Sequence, residues 1–282
     1  MKRRLLCKGM LASWGLAAMP LRLFADEQKP NAAAPVPPAD PLLAQKIQEK
    51  IDHYNRDFDD DIYIGKERLP LLQAVLNRLN RVQNFVGYGR FNLLSFDELL
   101  KAAADDKDTG PFTKEELSFI EEIFFTDAKK YGFYGEKVTN ALTTVVPMSD
   151  TIKIAGSGHF LYRGKPEELY NVLLRDVGDG IVLTSGIRAV VKQLHLFLAK
   201  SVQCEGNLSR ASRSLAPPGH SFHGVSDFDV GKIGWGYRNF TDQFAETELF
   251  KKLIDLGYVD IRYTRTNPYG VRFEPWHIKV SS

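Results

Sequence analysis

Cysteine is nearly absent from this 282-residue chain, which has only Cys7 and Cys204. If Cys7 leaves with an N-terminal signal, no intramolecular disulfide can form. A lone Cys204 reads as a small buried apolar residue rather than a nucleophile. Long apolar runs are also missing: after the N-terminus no segment has 18 uninterrupted apolar residues, so no membrane-spanning helix is expected. There is no internal repeat. Hydrophobic residues make up 44% and charged residues 26%, which excludes a collagen-like, fibrous or wholly disordered chain. A strong charge of one sign is lacking too. The formal net charge is +2, and five basic residues with no acid fall in the first 25 positions. Without them, 32 basic residues face 35 acidic ones, which gives no general argument for nucleic-acid binding.

The basic excess has a place. Lys2, Arg3, Arg4 and Lys8 precede an apolar stretch from Met10 to Met19, and Leu23-Phe24-Ala25 follows before acidic Asp26 and Glu27. That order predicts a secretory signal peptide over residues 1–25 and hence a periplasmic or extracellular protein. Arg3-Arg4-Leu5-Leu6-Cys7-Lys8 also looks like a twin-arginine export signal. Residues 26–41 are rich in Pro and Ala and read as an extended linker.

Helical patterns follow over 42–58 and 69–86, the second opened by Pro70 in its first turn. Ser95–Glu98 and Thr113–Glu116 each fit a capping box, so two more helices are expected. The loop between them, Asp105 to Glu116, has the spacing of a calcium loop, with Gly110 sixth and Glu116 twelfth. Lys107 stands where an oxygen ligand is needed and would repel the metal, so a plain helix–turn–helix is the preferred reading. After about residue 150 short strands alternate with helices. Strands are expected at 151–155, 160–162, 181–184, 259–263 and 271–280, and helices at 166–177, 186–200 and 247–256. The chain therefore divides into a helical region, 42–150, and an α+β domain, 151–282.

Three stretches of the second part concentrate site-forming residues. They are Ser185-Gly186-Ile187-Arg188 with Gln193 beyond it, Pro217 to Asp229, and Glu274-Pro275-Trp276-His277. Imidazole and carboxylate are zinc ligands, and a catalytic zinc keeps three protein ligands and an open position. His223, Asp229 and His277 supply such a set, and Glu274 supplies a carboxylate that can take a proton from water. Glu274 and His277 would point to opposite faces of a straight strand, so a bend at Pro275 is required. A four-ligand structural zinc site is disfavoured, because Cys204 is the only further thiol.

Together the three stretches resemble the zinc D-alanyl-D-alanine carboxypeptidase family, the VanY-type M15 enzymes, over roughly residues 150–282. The family's patterns are Ser-Gly-Tyr-Arg, Ser-x-His-x-x-Gly-x-Ala-x-Asp and Glu-x-x-His, often written Glu-x-Trp-His. Here Ile187 replaces Tyr, Ser221-Phe222-His223 fits the approach to the first ligand, and Glu274-Pro275-Trp276-His277 matches the third in full. The resemblance implies a small antiparallel-sheet peptidase fold of the hedgehog and D,D-peptidase kind. It implies zinc on His223, Asp229 and His277, with Glu274 as the catalytic base. Arg188 would stabilise charge on the attacked carbonyl or hold a substrate carboxylate, with Ser221 and Gln193 as substrate-binding groups. The implied substrate is a peptidoglycan stem peptide, cut between two terminal D-alanines or, in a related reading, at a cross-link. Five residues separate His223 from Asp229, where the family has six. Asp229 is the preferred ligand because it precedes Val230-Gly231; Asp227 is the alternative, and a degenerate wall-binding module is the alternative function.

Overall fold

The computed structural model describes residues 40–178 and 180–280; the expected signal peptide and most of the linker lie outside them. No described helix is long and apolar enough to cross a membrane. The fold is α+β, with a helical segment preceding small antiparallel sheets.

The first helices are α1 (Pro41–Asp52), α2 (Leu69–Val86), α3 (Tyr88–Phe91), α4 (Phe96–Asp105) and α5 (Lys114–Phe125). Both expected capping boxes form, with Ser95 and Glu98 closing α4 and Thr113 and Glu116 closing α5. α1 ends at Asp52, short of the expected 58, because the chain turns at His53 and leads into the acidic segment 57–61. In the calcium-like loop a guanidinium occupies the centre. Arg78 from α2 binds the Glu116 carboxylate at 3.1 Å and the carbonyls of Thr109 and Gly110. Glu116 and the Gly110 carbonyl are thus held by a fixed side-chain cation.

A hairpin of β1 (Thr151–Lys153) and β2 (Phe160–Tyr162) follows, then α6 (Lys165–Val177), β3 (Ile181–Ser185), α7 (Val190–Gln203) and α8 (Leu208–Ser212). The last elements are β4 (Phe228–Lys232), α9 (Glu248–Asp255), β5 (Asp260–Ile261) and β6 (His277–Lys279). Four strands form an antiparallel sheet in the order β3-β4-β6-β5. β6 starts at His277 rather than near 271, since Glu274–His277 is a turn closed by a His277 N–H to Glu274 carbonyl bond of 3.1 Å. α7 starts at Val190 rather than Gly186, because Ile187 and Ala189 spend their N–H groups on the carbonyls of Phe160 and Asn92. β4 carried no expectation, yet Phe228 and Val230 alternate with Asp229 as a half-polar strand does.

The two largest apolar cores hold most of these parts. Under the sheet, Ile181, Leu183, Phe228, Val230 and Ile278 pack with residues of α6 and α9. The other core joins the first helices to α7 and α8: Leu72, Leu79, Leu99 and Phe119 meet Leu194, Phe197 and Leu208. α7 follows Arg188 directly, so the helical segment fixes one wall of the site.

A buried ion pair ties α1 and its following loop to α8. Asp61 and Arg213 exchange two bonds of 2.8 and 2.9 Å, and Arg213 also donates to the carbonyls of Tyr54 and Arg56. Burial pushes the Asp61 carboxyl up, but hydrogen bonds from Arg213, Asn207 and the Phe58 N–H outweigh it and hold the pKa at about 2. Arg213→Met removes the two-bond partner and leaves that buried carboxylate only Lys50, at 3.5 Å, as a cation, so a loss of about 3 kcal/mol is expected by urea unfolding at pH 7. Because the folded pKa lies below the unfolded one, the Asp61 contribution is complete above the model-compound value of 3.8 and is lost as the pH falls towards 2. The penalty for Arg213→Met should therefore shrink across that window; a penalty independent of pH would contradict this account.

Candidate active site

The site is laid out by strand register. Directly opposed residues of antiparallel strands project from one face. Asp229 of β4 lies opposite His277 of β6, and Ser185 of β3 lies opposite Asp229. A register irregularity between Leu183 and Ser185 makes the second pairing possible by adding Thr184 to β3. The Arg262 N–H donates to the His277 carbonyl at 3.2 Å, extending the row to the far edge. Ser185, Asp229, His277 and Arg262 thus cross the sheet on the face opposite its apolar core.

His223 comes from outside the sheet, on a single helical turn, Phe222–Gly224. Two bonds lock that turn to the Ser185–Arg188 segment. His223 Nδ1 bonds the Gly186 carbonyl at 2.8 Å, and the Arg188 N–H donates to the His223 carbonyl at 3.2 Å. A proton on Nδ1 leaves the lone pair of His223 on Nε2, which faces Asp229 Oδ1 at 3.1 Å. Gly186 must be glycine here, since a Cβ would fall 2.0 Å from the Phe160 carbonyl oxygen.

His277 Nδ1 faces Asp229 Oδ1 at 3.5 Å and a Glu274 oxygen at 3.4 Å. Its other nitrogen, Nε2, bonds Asp227 at 3.0 Å. Asp227 also binds Arg262 through both carboxylate oxygens and accepts the Val280 N–H at 3.0 Å. The turn Glu274–His277 brings the Glu274 carboxylate back beside the imidazole, as a straight strand could not. Trp276 is buried in the sheet's core and anchors that turn from behind.

His223, Asp229 and His277 each offer one ligating atom, all within 4.8 Å of one another, and all three residues are buried. Donors about 2.0–2.2 Å from a tetrahedral zinc lie roughly 3.3–3.5 Å apart, close to the 3.1 and 3.5 Å found around Asp229. Two imidazoles and a carboxylate suit zinc in kind as well as in spacing. Asp227, the alternative ligand of the sequence reading, stands on the far side of the His277 ring with both oxygens engaged.

Charge in this buried patch is tightly coupled. Burial pushes the Asp229 carboxyl up, but His223 and Arg188 hold it well below the usual carboxylate range. Burial, helped by Arg188, pushes the His223 imidazole down to about 4, which keeps it neutral. Burial opposes charge on His277 as well, yet its hydrogen bonds to Asp227 and Glu274 raise it to about 9. The carboxylates around His277 thus favour its charged form, and a metal on Nδ1 would compete with that proton.

Beside the centre is a small cleft whose lining includes Arg188, Ser221, Gln193, Thr139 and Val146. Arg188 donates from Nε to Ser185 Oγ at 2.8 Å and from Nη2 to Asp229 at 2.5 Å. Its Nη1 has no partner among the described residues. Gln193 donates to the Ala216 carbonyl, and its buried Oε1 has no partner. Both motif histidines are buried, but His220 turns away and bonds the carbonyls of Gly135 and Glu136. Asp227 and Arg262 had no assigned place in the sequence reading beyond the alternative ligand; no spacing signal could have joined residues 35 positions apart.

Residues 170–281, less than half of the chain, match the family model described as VanY, D-alanyl-D-alanine carboxypeptidase. No curated protein matches the chain. Solved structures that resemble it include the following three. The LD-carboxypeptidase LdcB, described for its peptidoglycan recognition, is 18% identical over 48% of this chain and 69% of its own, with a TM-score of 0.41. A variant of the vancomycin-resistance D,D-pentapeptidase VanY in complex with Zn(II) is 18% identical over 47% of this chain and 78% of its own, at 0.36. VanYB in complex with D-alanine-D-alanine is 19% identical over 49% of this chain and 81% of its own, at 0.37.

Zinc binding is open to a thermal test. Free zinc at 1,000 times its Kd stabilises a folded site by about 4 kcal/mol, so it should raise the Tm of the protein. His223→Ala should abolish that rise, on top of whatever the loss of the buried ring costs the protein without zinc. A full zinc-dependent rise in the variant would put the metal elsewhere.

Proposed function

We propose, on the premise that residues 170–281 form a VanY-type peptidase domain, that this chain is an exported zinc peptidase acting on bacterial peptidoglycan stem peptides. The preferred bond is the one between two terminal D-alanines. The observation that carries the reading is the convergence of His223 Nε2, Asp229 Oδ1 and His277 Nδ1 on one point, with Glu274 beside it. These three residues would hold the metal. Zinc bound there polarises a carbonyl as a Lewis acid and makes water a nucleophile at neutral pH.

The remaining work falls to the chain's own side chains. Glu274 accepts the proton of the attacking water and returns it to the departing amine, as a carboxylate within hydrogen-bond reach can do. A merely wall-binding module would have no need of it. Arg188 contributes a fixed positive charge for the oxygen that turns anionic, or for the substrate carboxylate, through its unpartnered Nη1. The buried Gln193 Oε1 offers an acceptor to a substrate N–H, and Ser221 a hydroxyl in the same cleft. The helical segment contributes Val146 and Thr139 to the opposite lining, which supports a part for it in substrate choice. Export fits this reading, since peptidoglycan lies outside the cytoplasm.

The test is mass spectrometry of pentapeptide-bearing wall fragments incubated with the protein, with and without a chelator. Chelator-sensitive loss of a single terminal alanine is expected. Cleavage at a cross-link would keep the metallopeptidase and change the bond. No cleavage by folded, zinc-loaded protein would overturn the reading. Glu274→Gln should lower kcat by about 10²–10⁴-fold while zinc affinity stays near that of the parent.

A further inference from the structure

His277 is gripped on both edges by carboxylates two residues apart in the chain. Asp227 and Asp229 stand on either side of one residue, Phe228, and strand alternation sends their side chains to the same face. Asp229 meets Nδ1 of the ring, and Asp227 meets Nε2 at 3.0 Å. Asp227 is itself held from three sides. Arg262 bonds both of its oxygens, the Val280 N–H donates to it at 3.0 Å, and Ser226 Oγ donates at 3.3 Å. The Arg262 guanidinium in turn lies 3.6 Å from the ring centroid of Phe222, the residue before His223. Asp227 and Arg262 are both buried at their side chains.

We propose that Asp227 and Arg262 are a positioning pair: Asp227 takes the Nε2 proton of His277 in a hydrogen bond, so that Nδ1 alone is offered to the metal, while Arg262 fixes Asp227 and braces the His223 turn through Phe222. The inference rests on the metal site put forward above. Its reason is tautomeric. A neutral imidazole has one N–H and one lone pair, and a ligating histidine is set by whatever its second nitrogen binds. A carboxylate with acceptors only can fix that choice. The same link connects the two ligand-bearing segments, which lie 54 residues apart in sequence, through one cation. It also gives Asp227 work in a turn that is one residue shorter than the pattern the chain resembles.

The test reads metal affinity and imidazole state without substrate. Asp227→Asn keeps the shape but turns one acceptor into a donor, facing either His277 or Arg262. Zinc affinity, measured by competition with a chromophoric chelator, should fall by about 10–100-fold. The visible spectrum of the cobalt-loaded protein should change with it. Arg262→Lys keeps the charge without the fork and should lose less. Asp227→Asn with the parent's zinc affinity and cobalt spectrum would overturn the proposal. Should Asp227→Asn fail to fold, ¹⁵N histidine NMR of the parent decides instead. A proton on His277 Nε2 is expected in the zinc-loaded protein and, at alkaline pH, in the metal-free one; a proton on Nδ1 would overturn the proposal. A parent that binds no zinc would count against the function proposed above, and the alkaline metal-free spectrum would still report on Asp227.

Discussion

The pairing of Asp229 with His277 across β4 and β6 is the contact on which the rest of this structure depends. Antiparallel register makes the two side chains neighbours on one face. It also sends Phe228, Val230 and Ile278 to the other face, into the core. A slip of one residue would bury the polar row and expose the apolar one, so packing energy under the sheet enforces the geometry above it. The same register seats Ser185 and Arg262 at the two ends of the row. Even the irregularity at Thr184 serves it, by bringing Ser185 rather than its neighbour opposite Asp229.

Burial of so many ionisable groups is costly, and the structure meets that cost by pairing. Asp227 has Arg262, and Asp229 has Arg188. Asp227 and Glu274 raise the pKa of His277 against the direction that burial favours. Such a centre is suited to exchange a proton for a divalent cation. Asp61 with Arg213 shows the same solution used away from the cleft, to fasten the α1 segment to α8. Arg78 with Glu116 shows it again inside a loop that has the spacing of a calcium site.

The helical segment holds the edge of the site by packing. Its apolar faces close on α7, whose first turn follows Arg188, and the Asn92 carbonyl holds the Ala189 N–H at the entrance to that helix. The arginine loop is therefore pinned from one side by these helices and from the other by the His223 turn. That leaves the cleft with walls from two distant parts of the chain.

Much of this was legible in one dimension. The capping boxes marked α4 and α5, Pro70 marked the start of α2, and three motifs brought His223, Asp229, Glu274 and His277 together as a set. These are local signals, since caps, turns and ligand types are properties of a few adjacent residues. Strand ends and partners were not local. β6 begins only where Glu274–His277 stops turning, and α7 only where Ile187 and Ala189 no longer bond to other segments. The sequence left open whether Asp227 or Asp229 would stand with His223, because spacing along the chain does not say which side of an imidazole a carboxylate will reach. Tertiary structure puts the two carboxylates on opposite edges of the His277 ring. The pairing of β4 with β6 turns Asp229 to Nδ1, and Arg262, arriving from the edge strand, engages Asp227 on the far side of the ring. The sequence by itself determined which chemical groups are present; only the folded sheet determined which face each one shares, because that depends on register between strands the chain brings together from far apart.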